Sequence, residues 1–230
     1  HLVAGLRGQL GVFRVAAEIA AHHAALRVIC DQHQNRVHRI LIAVGAQSVL
    51  IAVFPVAGAV RRDRRPLALE QPAAAAGAKS VTAVDISADA IEMTRRNAEQ
   101  NGFTNVEFRQ ADVFDLLTEL YRAGGHPYDF IILDPPAFTK SSSTVRAAER
   151  GYKEINLKAM RLLPRGGYLA TCSCSHFMTE TLFRHMLHDA AADAGVSLRQ
   201  IEARRQAPDH PILWNVPETD YLKFYIFQVV

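Results

Sequence analysis

The chain has 230 residues, 49% apolar and 21% charged, at a mean hydropathy of zero. This excludes a disordered tail or a coiled coil and leaves enough chain to bury a sizeable core. Three cysteines, Cys30, Cys172 and Cys174, are too few and too unevenly spaced for a disulfide framework, and point to a reducing, cytosolic setting.

The net charge of +3 divides unevenly along the chain. Residues 1–72 carry nine Arg, no Lys and four acids, a balance of +5; residues 73–230 carry five Lys, twelve Arg and nineteen acids, a balance of −2. That asymmetry fits either a basic nucleic-acid-binding arm on a neutral domain or two stretches of different origin. The opening on His1 in place of Met leads us to expect a natural start further upstream.

Residues 1–39 show no sustained period, and only Val15–Ile29 reads as a helix. Ile40–Val60 is 21 residues without a charge, flanked by Arg39 and by Arg61, Arg62, Arg64 and Arg65. Its length suits a membrane span. Gln47, Ser48, Pro55 and two glycines weaken that reading, and basic residues at both ends favour no orientation. The same run divides as well into two short buried strands, so a membrane role is the weaker reading.

After Pro72 the pattern becomes regular. Ala73–Ala78 reads as a helix end with Gly77 at its C-cap, and Ser80–Ile86 as a buried parallel strand. Ser87 caps a helix from Ala88 to about Gln100, closed by Asn101-Gly102. A strand over Val106–Asp112, a helix near Phe114–Arg122 and a strand over Tyr128–Leu133 follow, the last halted by Asp134-Pro135-Pro136. Then come a helix from Val145 to Leu163, a strand Tyr168–Cys174 opened by Gly166-Gly167, a helix His176–Ala194, and strands Val196–Arg205 and Tyr221–Val230. Alternating strands and helices predict an α/β fold with a mostly parallel sheet, whose ligands bind beyond the carboxyl ends of the strands.

Four polar clusters fall at those ends. Asp85 reads equally as an acceptor for ribose hydroxyls and as a charge favourable to the helix that follows. Asp112 repeats the pattern where an acid can receive an adenine amine. Asp134 stands in Asp134-Pro135-Pro136-Ala137-Phe138, where prolines fix the backbone and present the carboxylate beside an aromatic ring able to stack on a base; an ordinary strand-ending turn is the other reading. In Thr171–His176 the spacing is too tight for zinc and no second ligand pair exists, so no metal is expected. Alternation puts Cys172 and Cys174 on one face, and position at the strand end favours Cys174 for exposure, with a helix start behind it to stabilise a thiolate.

Together these segments carry a resemblance. AAGAKSVTAVDIS (75–87), Asn97–Gly102, Ala111–Leu116, DPPAF, RGYKEINL (150–157), GGYLATCSCSH (166–176) and DHPILWNVPETDYLK (209–223) resemble the class I S-adenosylmethionine-dependent ribosomal RNA large-subunit cytosine-C5 methyltransferases of bacteria, over residues 73–230. The resemblance implies a Rossmann-like α/β sheet with helices on both faces, S-adenosylmethionine as cofactor, and ribosomal RNA as partner through a single-stranded or flipped-out cytosine. It implies that Asp85 and Ile86 hold the ribose, Asp112 and Val113 the adenine, and that Asp134 serves both cofactor and substrate. Cys174 is the implied nucleophile at cytosine C6, with Cys172 second. Pro135, Pro136 and Phe138 would meet the base, and Lys140, Lys153 and Arg150 the phosphates, although each of these three could be a solvated helix charge.

The departure lies upstream. The family's first strand and Gly-Gly turn should precede Gly77 near residues 65–69, where this chain has Arg65-Pro66-Leu67-Ala68-Leu69. We therefore expect the first strand and glycine-rich loop to be degraded or absent, and a division into an atypical segment, 1–72, and a catalytic domain, 73–230. Glycine codons read one nucleotide out of phase encode arginine, so a shifted frame would explain Arg64-Arg65, as would genuine divergence. Two other functions fit: methyl transfer to a base nitrogen, which Asp-Pro-Pro also serves, and an inactive RNA-binding or membrane-tethered fragment.

Overall fold

The computed structural model describes the backbone of residues 26–31, 38–43 and 48–53, and the backbone and side chains of residues 78–139, 141–206 and 210–230. Strands β1 (Leu26–Asp31) and β2 (His38–Ala43) form an antiparallel pair, with Val28 opposite Leu41 and Ile29 opposite Ile40. Leu26–Ile29, expected to end a helix, is thus strand; its β-branched residues suit a paired, extended backbone. Residues 15–25 lie outside the described residues.

The uncharged run is divided rather than continuous, with β2 in its first part and β3 (Ser48–Val53) in its second. Among the described residues no helix is long and apolar enough to cross a membrane. β3 joins β4 (Ser80–Asp85), β5 (Val106–Gln110), β6 (Phe130–Asp134), β7 (Tyr168–Ser173), β8 (Leu198–Arg204) and β9 (Lys223–Val229) in a seven-stranded sheet of order β5-β4-β3-β6-β7-β9-β8. The five strands from β5 to β7 run parallel, and β9 runs against both its neighbours.

The central place of β3 corrects one expectation. The first strand is present: SVLIAV pairs with β4 on one side and β6 on the other, placing Val53 beside Asp134. The five parallel strands of the sheet therefore draw their middle member from the segment before the charge break. Residues 54–77, where the glycine-rich turn was sought, lie outside the described residues, as does the expected helix end with Gly77.

Among the described residues four α-helices connect the strands: α1 (Ala88–Gln100), α2 (Val113–Ala123), α3 (Val145–Leu162) and α4 (Glu180–Ala194). Parallel crossovers are right-handed. The chain steps one way from β4 to β5, then back past β3 to β6 and onward to β7, so α1 covers one face while α2, α3 and α4 cover the other. Ile131, Leu133 and Leu169 of the sheet are fully buried against Leu117, Ile155 and Phe183 of those three helices. Each such side chain contributes about 1.5–3 kcal/mol. The reversal of direction between β3 and β6 is the switch point at which open α/β sheets bind ligands.

Caps set the helix ends. Ser87 Oγ accepts from the Ala90 amide at 3.3 Å to begin α1, as its sequence predicts. Asp112 Oδ1 accepts from the Phe114 amide at 2.7 Å to begin α2. α4 starts later than expected: a turn from Ser175 to Met178 follows β7, and Thr179, not the residue before His176, is the cap. Gly166 has φ of +91°, which a side chain resists, and a Cβ on Gly167 would approach the Pro164 carbonyl at 3.0 Å, so both glycines are needed to enter β7.

Candidate active site

The sheet brings the strand-end acids to one rim. Asp85 ends β4 as a buried residue, 5% exposed, and its Oδ1 accepts from the Ser87 amide at 2.7 Å. Burial raises its pKa above the ordinary 3.8, opposed by hydrogen bonds from the Ser87 and Ile86 amides. Ile86 beside it is an exposed aliphatic side chain, 51% accessible, with its carbonyl held by Gln110 Nε2 at 3.3 Å. A buried carboxylate next to an apolar platform fits a ribose hydroxyl pair and the face of a purine. Asp112 caps α2 through Oδ1, and Val113 next to it is buried.

Across the switch point, β6 ends in Asp134, which is half-buried, followed by buried Pro135. Cys172 lies against it: its thiol donates to Asp134 Oδ1 at 2.7 Å and approaches the Leu133 carbonyl at 3.5 Å, and the residue is only 2% exposed. Cys174 stands one residue beyond β7, half-buried, with Sγ 4.0 Å from the Pro135 carbonyl. Both sulfurs thus face the same Leu133–Pro135 segment, as alternation along the strand predicts. The inner thiol is spent on the carboxylate, and the outer cysteine is only half-buried.

A chain of hydrogen bonds locks these two strand ends together. The Ser175 amide donates to Ser173 Oγ at 3.3 Å, Ser173 Oγ donates to the Tyr152 hydroxyl at 3.1 Å, and Tyr152 donates to the Pro136 carbonyl at 3.3 Å. Ser175 Oγ adds a bond to the Thr139 carbonyl at 2.9 Å. Tyr152 is fully enclosed, and burial pushes its hydroxyl far above the usual tyrosine range, keeping it a donor. Sequence reasoning placed Tyr152 in a family-like segment without a role. Lys223, at the start of β9, was missed in the same way: it is 7% exposed and donates to the Ser175 carbonyl at 2.5 Å and the Tyr221 carbonyl at 2.8 Å.

Two expected RNA contacts have other partners. The Phe138 ring packs on Tyr152 with centroids 4.5 Å apart and on Phe114 at 5.9 Å, in space that Gly151 leaves open. It is wedged between the loop and the core and is half-buried. Lys153 Nζ pairs with Asp193 Oδ2 at 2.7 Å, tying α3 to α4, and that bond raises its pKa. Arg150 is exposed on α3 and Pro136 half-buried at the turn. Lys140 lies outside the described residues.

The sheet order and its rim of strand-end acids define a Rossmann-like methyltransferase fold. A family model described as a methyltransferase domain matches residues 68–215, and the chain belongs to that family. It is similar to the ribosomal RNA large subunit methyltransferase I of Klebsiella pneumoniae (strain 342), 45% identical over 156 residues that make up 67% of this chain and 39% of that protein. The protein of the same name from Aeromonas salmonicida (strain A449) is 48% identical over 149 residues, 64% of this chain and 37% of that one. The chain thus spans about two fifths of the length of these relatives. Among solved structures, SMU.776, in complex with SAH, superposes with a TM-score of 0.65 at 20% identity, covering 81% of this chain and 46% of that one.

Proposed function

We propose that the chain is the catalytic part of an S-adenosylmethionine-dependent methyltransferase that modifies C5 of a cytosine in large-subunit ribosomal RNA. The relatives' printed names support the substrate class. One observation carries the chemistry: Cys174, just past the end of β7 and beside the Asp134-Pro135 turn, is the less buried of the two cysteines, while Cys172 is buried with its proton directed to Asp134.

Cytosine C5 is a weak nucleophile. A Cys174 thiolate adding to C6 forms an S–C bond, moves the ring electrons to C5 and makes an enamine there. The cofactor, when bound, supplies an electrophilic methyl group. Asp85 and Ile86 hold its ribose side and Asp112 with Val113 its adenine. Asp134 binds the N3/N4 edge of the cytosine and steadies charge formed on addition. Loss of the C5 proton to a base then restores the ring, and the sulfur leaves with its electron pair. The base must leave the helix stack to reach this rim, so the RNA substrate is single-stranded or flipped at that nucleotide. We assign catalysis to residues 73–230 together with β3.

The test uses S-adenosylmethionine with a labelled methyl group and protein-free large-subunit RNA, followed by nucleoside analysis. The expected product is 5-methylcytidine, lost in Cys174→Ala; RNA carrying 5-fluorocytosine should stay covalently attached to the wild-type chain. Label on a base nitrogen that survives Cys174→Ala would establish the amino-methylating alternative.

A further inference from the structure

The expected stabiliser of a Cys174 thiolate was a helix starting at His176. α4 begins at Glu180, so its positive end lies beyond an intervening turn. The cation beside Cys174 comes from another strand. Lys223 pairs across the antiparallel ladder with Ser173, and its Nζ donates to the carbonyl of Ser175. Those two residues flank Cys174, so the lysine side chain runs from one side of the cysteine to the other. A buried lysine is costly unless its charge is answered. Two carbonyls take two of its three protons, and the strongest attraction that favours its charge comes from Cys174, ahead of Asp220, Glu180 and Cys172.

The other charged groups around this point are largely answered by one another. Arg205 Nη1 binds Asp220 Oδ2 at 2.6 Å and its Nη2 binds Glu180 Oε2 at 3.2 Å, while Tyr225 donates to Glu180 Oε1 at 3.0 Å. His176 and Lys223 line the same cavity of about 210 Å³. Asp134 is engaged by Cys172, and the Tyr152 hydroxyl by Pro136 and Ser173.

We propose that Lys223 is a positioning residue for Cys174: its ammonium, clamped to the carbonyl next to the cysteine, stabilises the thiolate and holds it at the strand end. The inference rests on Cys174 as the nucleophile of the proposed reaction. Burial lowers the lysine to about 8, so its charge is present at neutral pH and fades above that value. The aid it gives to the thiolate fades with it.

The test is the pH profile of iodoacetamide alkylation at Cys174 in the full chain, resolved from Cys172 by fragment-ion mass spectrometry, with neither cofactor nor RNA present. An ordinary thiol titrates near 8.5. The wild-type midpoint should lie lower. Lys223→Gln, which keeps a donor for the Ser175 carbonyl but no charge, should raise it by about one unit, cutting the rate at neutral pH about tenfold. Lys223→Arg should restore most of the loss. Protection of Cys172 reports that each variant is folded, and Lys223→Met repeats the uncharged test if the glutamine variant exposes it. A wild-type profile in either folded uncharged variant, or an arginine variant as slow as the uncharged ones, would overturn the proposal. Because alkylation needs no methyl transfer, a charge-dependent profile without 5-methylcytidine would sink the reaction assignment and leave this one standing.

Discussion

Tyr152→Phe isolates the hydrogen-bonded chain that ties the Asp134-Pro135-Pro136 turn to the cysteine strand. The substitution keeps the aromatic volume, so packing against Phe138 and Phe183 is retained and no cavity opens. What is lost are a buried bond of 3.1 Å from Ser173 and a part-buried one of 3.3 Å to the carbonyl of half-buried Pro136. A neutral hydrogen bond contributes about 0.5–1.5 kcal/mol net, and stranding its partner costs more. Both bonds are long, so the expected loss is about 1–2 kcal/mol, read as a lower urea midpoint at unchanged m-value. Burial keeps the wild-type hydroxyl protonated, so the loss should be the same from pH 6 to 9. The turn and the cysteine are then free to drift, and a misplacement near 1 Å costs up to about 100-fold in rate. Methyl transfer should therefore fall more than stability alone explains. A variant within 0.3 kcal/mol of wild type, with an unchanged rate, would refute the idea that this tyrosine sets the geometry.

Three further outcomes follow from the same contacts. Asp85→Asn should stabilise the fold at neutral pH, because burial raises the aspartate's pKa and its charged form is the penalised one. The gain should disappear as pH falls through the folded-state pKa, where the wild-type acid is neutral too, and cofactor affinity measured by calorimetry should drop. Cys172→Ala should cost about 1–2 kcal/mol in denaturation yet retain methyl transfer within severalfold; loss of transfer equal to that of Cys174→Ala would make the inner cysteine the nucleophile. Lys153→Ala should leave the urea midpoint nearly unchanged, since its ion pair with Asp193 is solvent-exposed and screened. It should leave the salt dependence of RNA binding unchanged, and a slope reduced by about one would restore it as a phosphate contact.

The regular part of the chain was legible because its signals agreed. Ser87, the alternating apolar runs and the paired glycines at 166–167 all point to the elements that form. The start of α4 was misplaced because His176-Phe177-Met178 continues the apolar pattern, although Thr179 followed by Glu180 carried the right cap signal. Phe138 looked like a presented ring from its own segment, while the residue that gives it room, Gly151, sits on another element. β3 was hidden for a different reason. An uncharged run with Pro55 and glycines says how a strand might end but not what it will pair with. Tyr152 and Lys223 gain their roles only when β6, β7 and β9 lie side by side.

The inner position of β3, between β4 and β6, also orders the assembly of the sheet. SVLIAV is made before either neighbour, and its second edge is satisfied only when Phe130–Asp134 arrives. Pairing across so much intervening chain slows folding, and an uncharged six-residue strand waiting with an open edge is prone to stick to other chains. The strand that closes the gap carries Asp134 at its tip. Closing the sheet and delivering that carboxylate are thus one event.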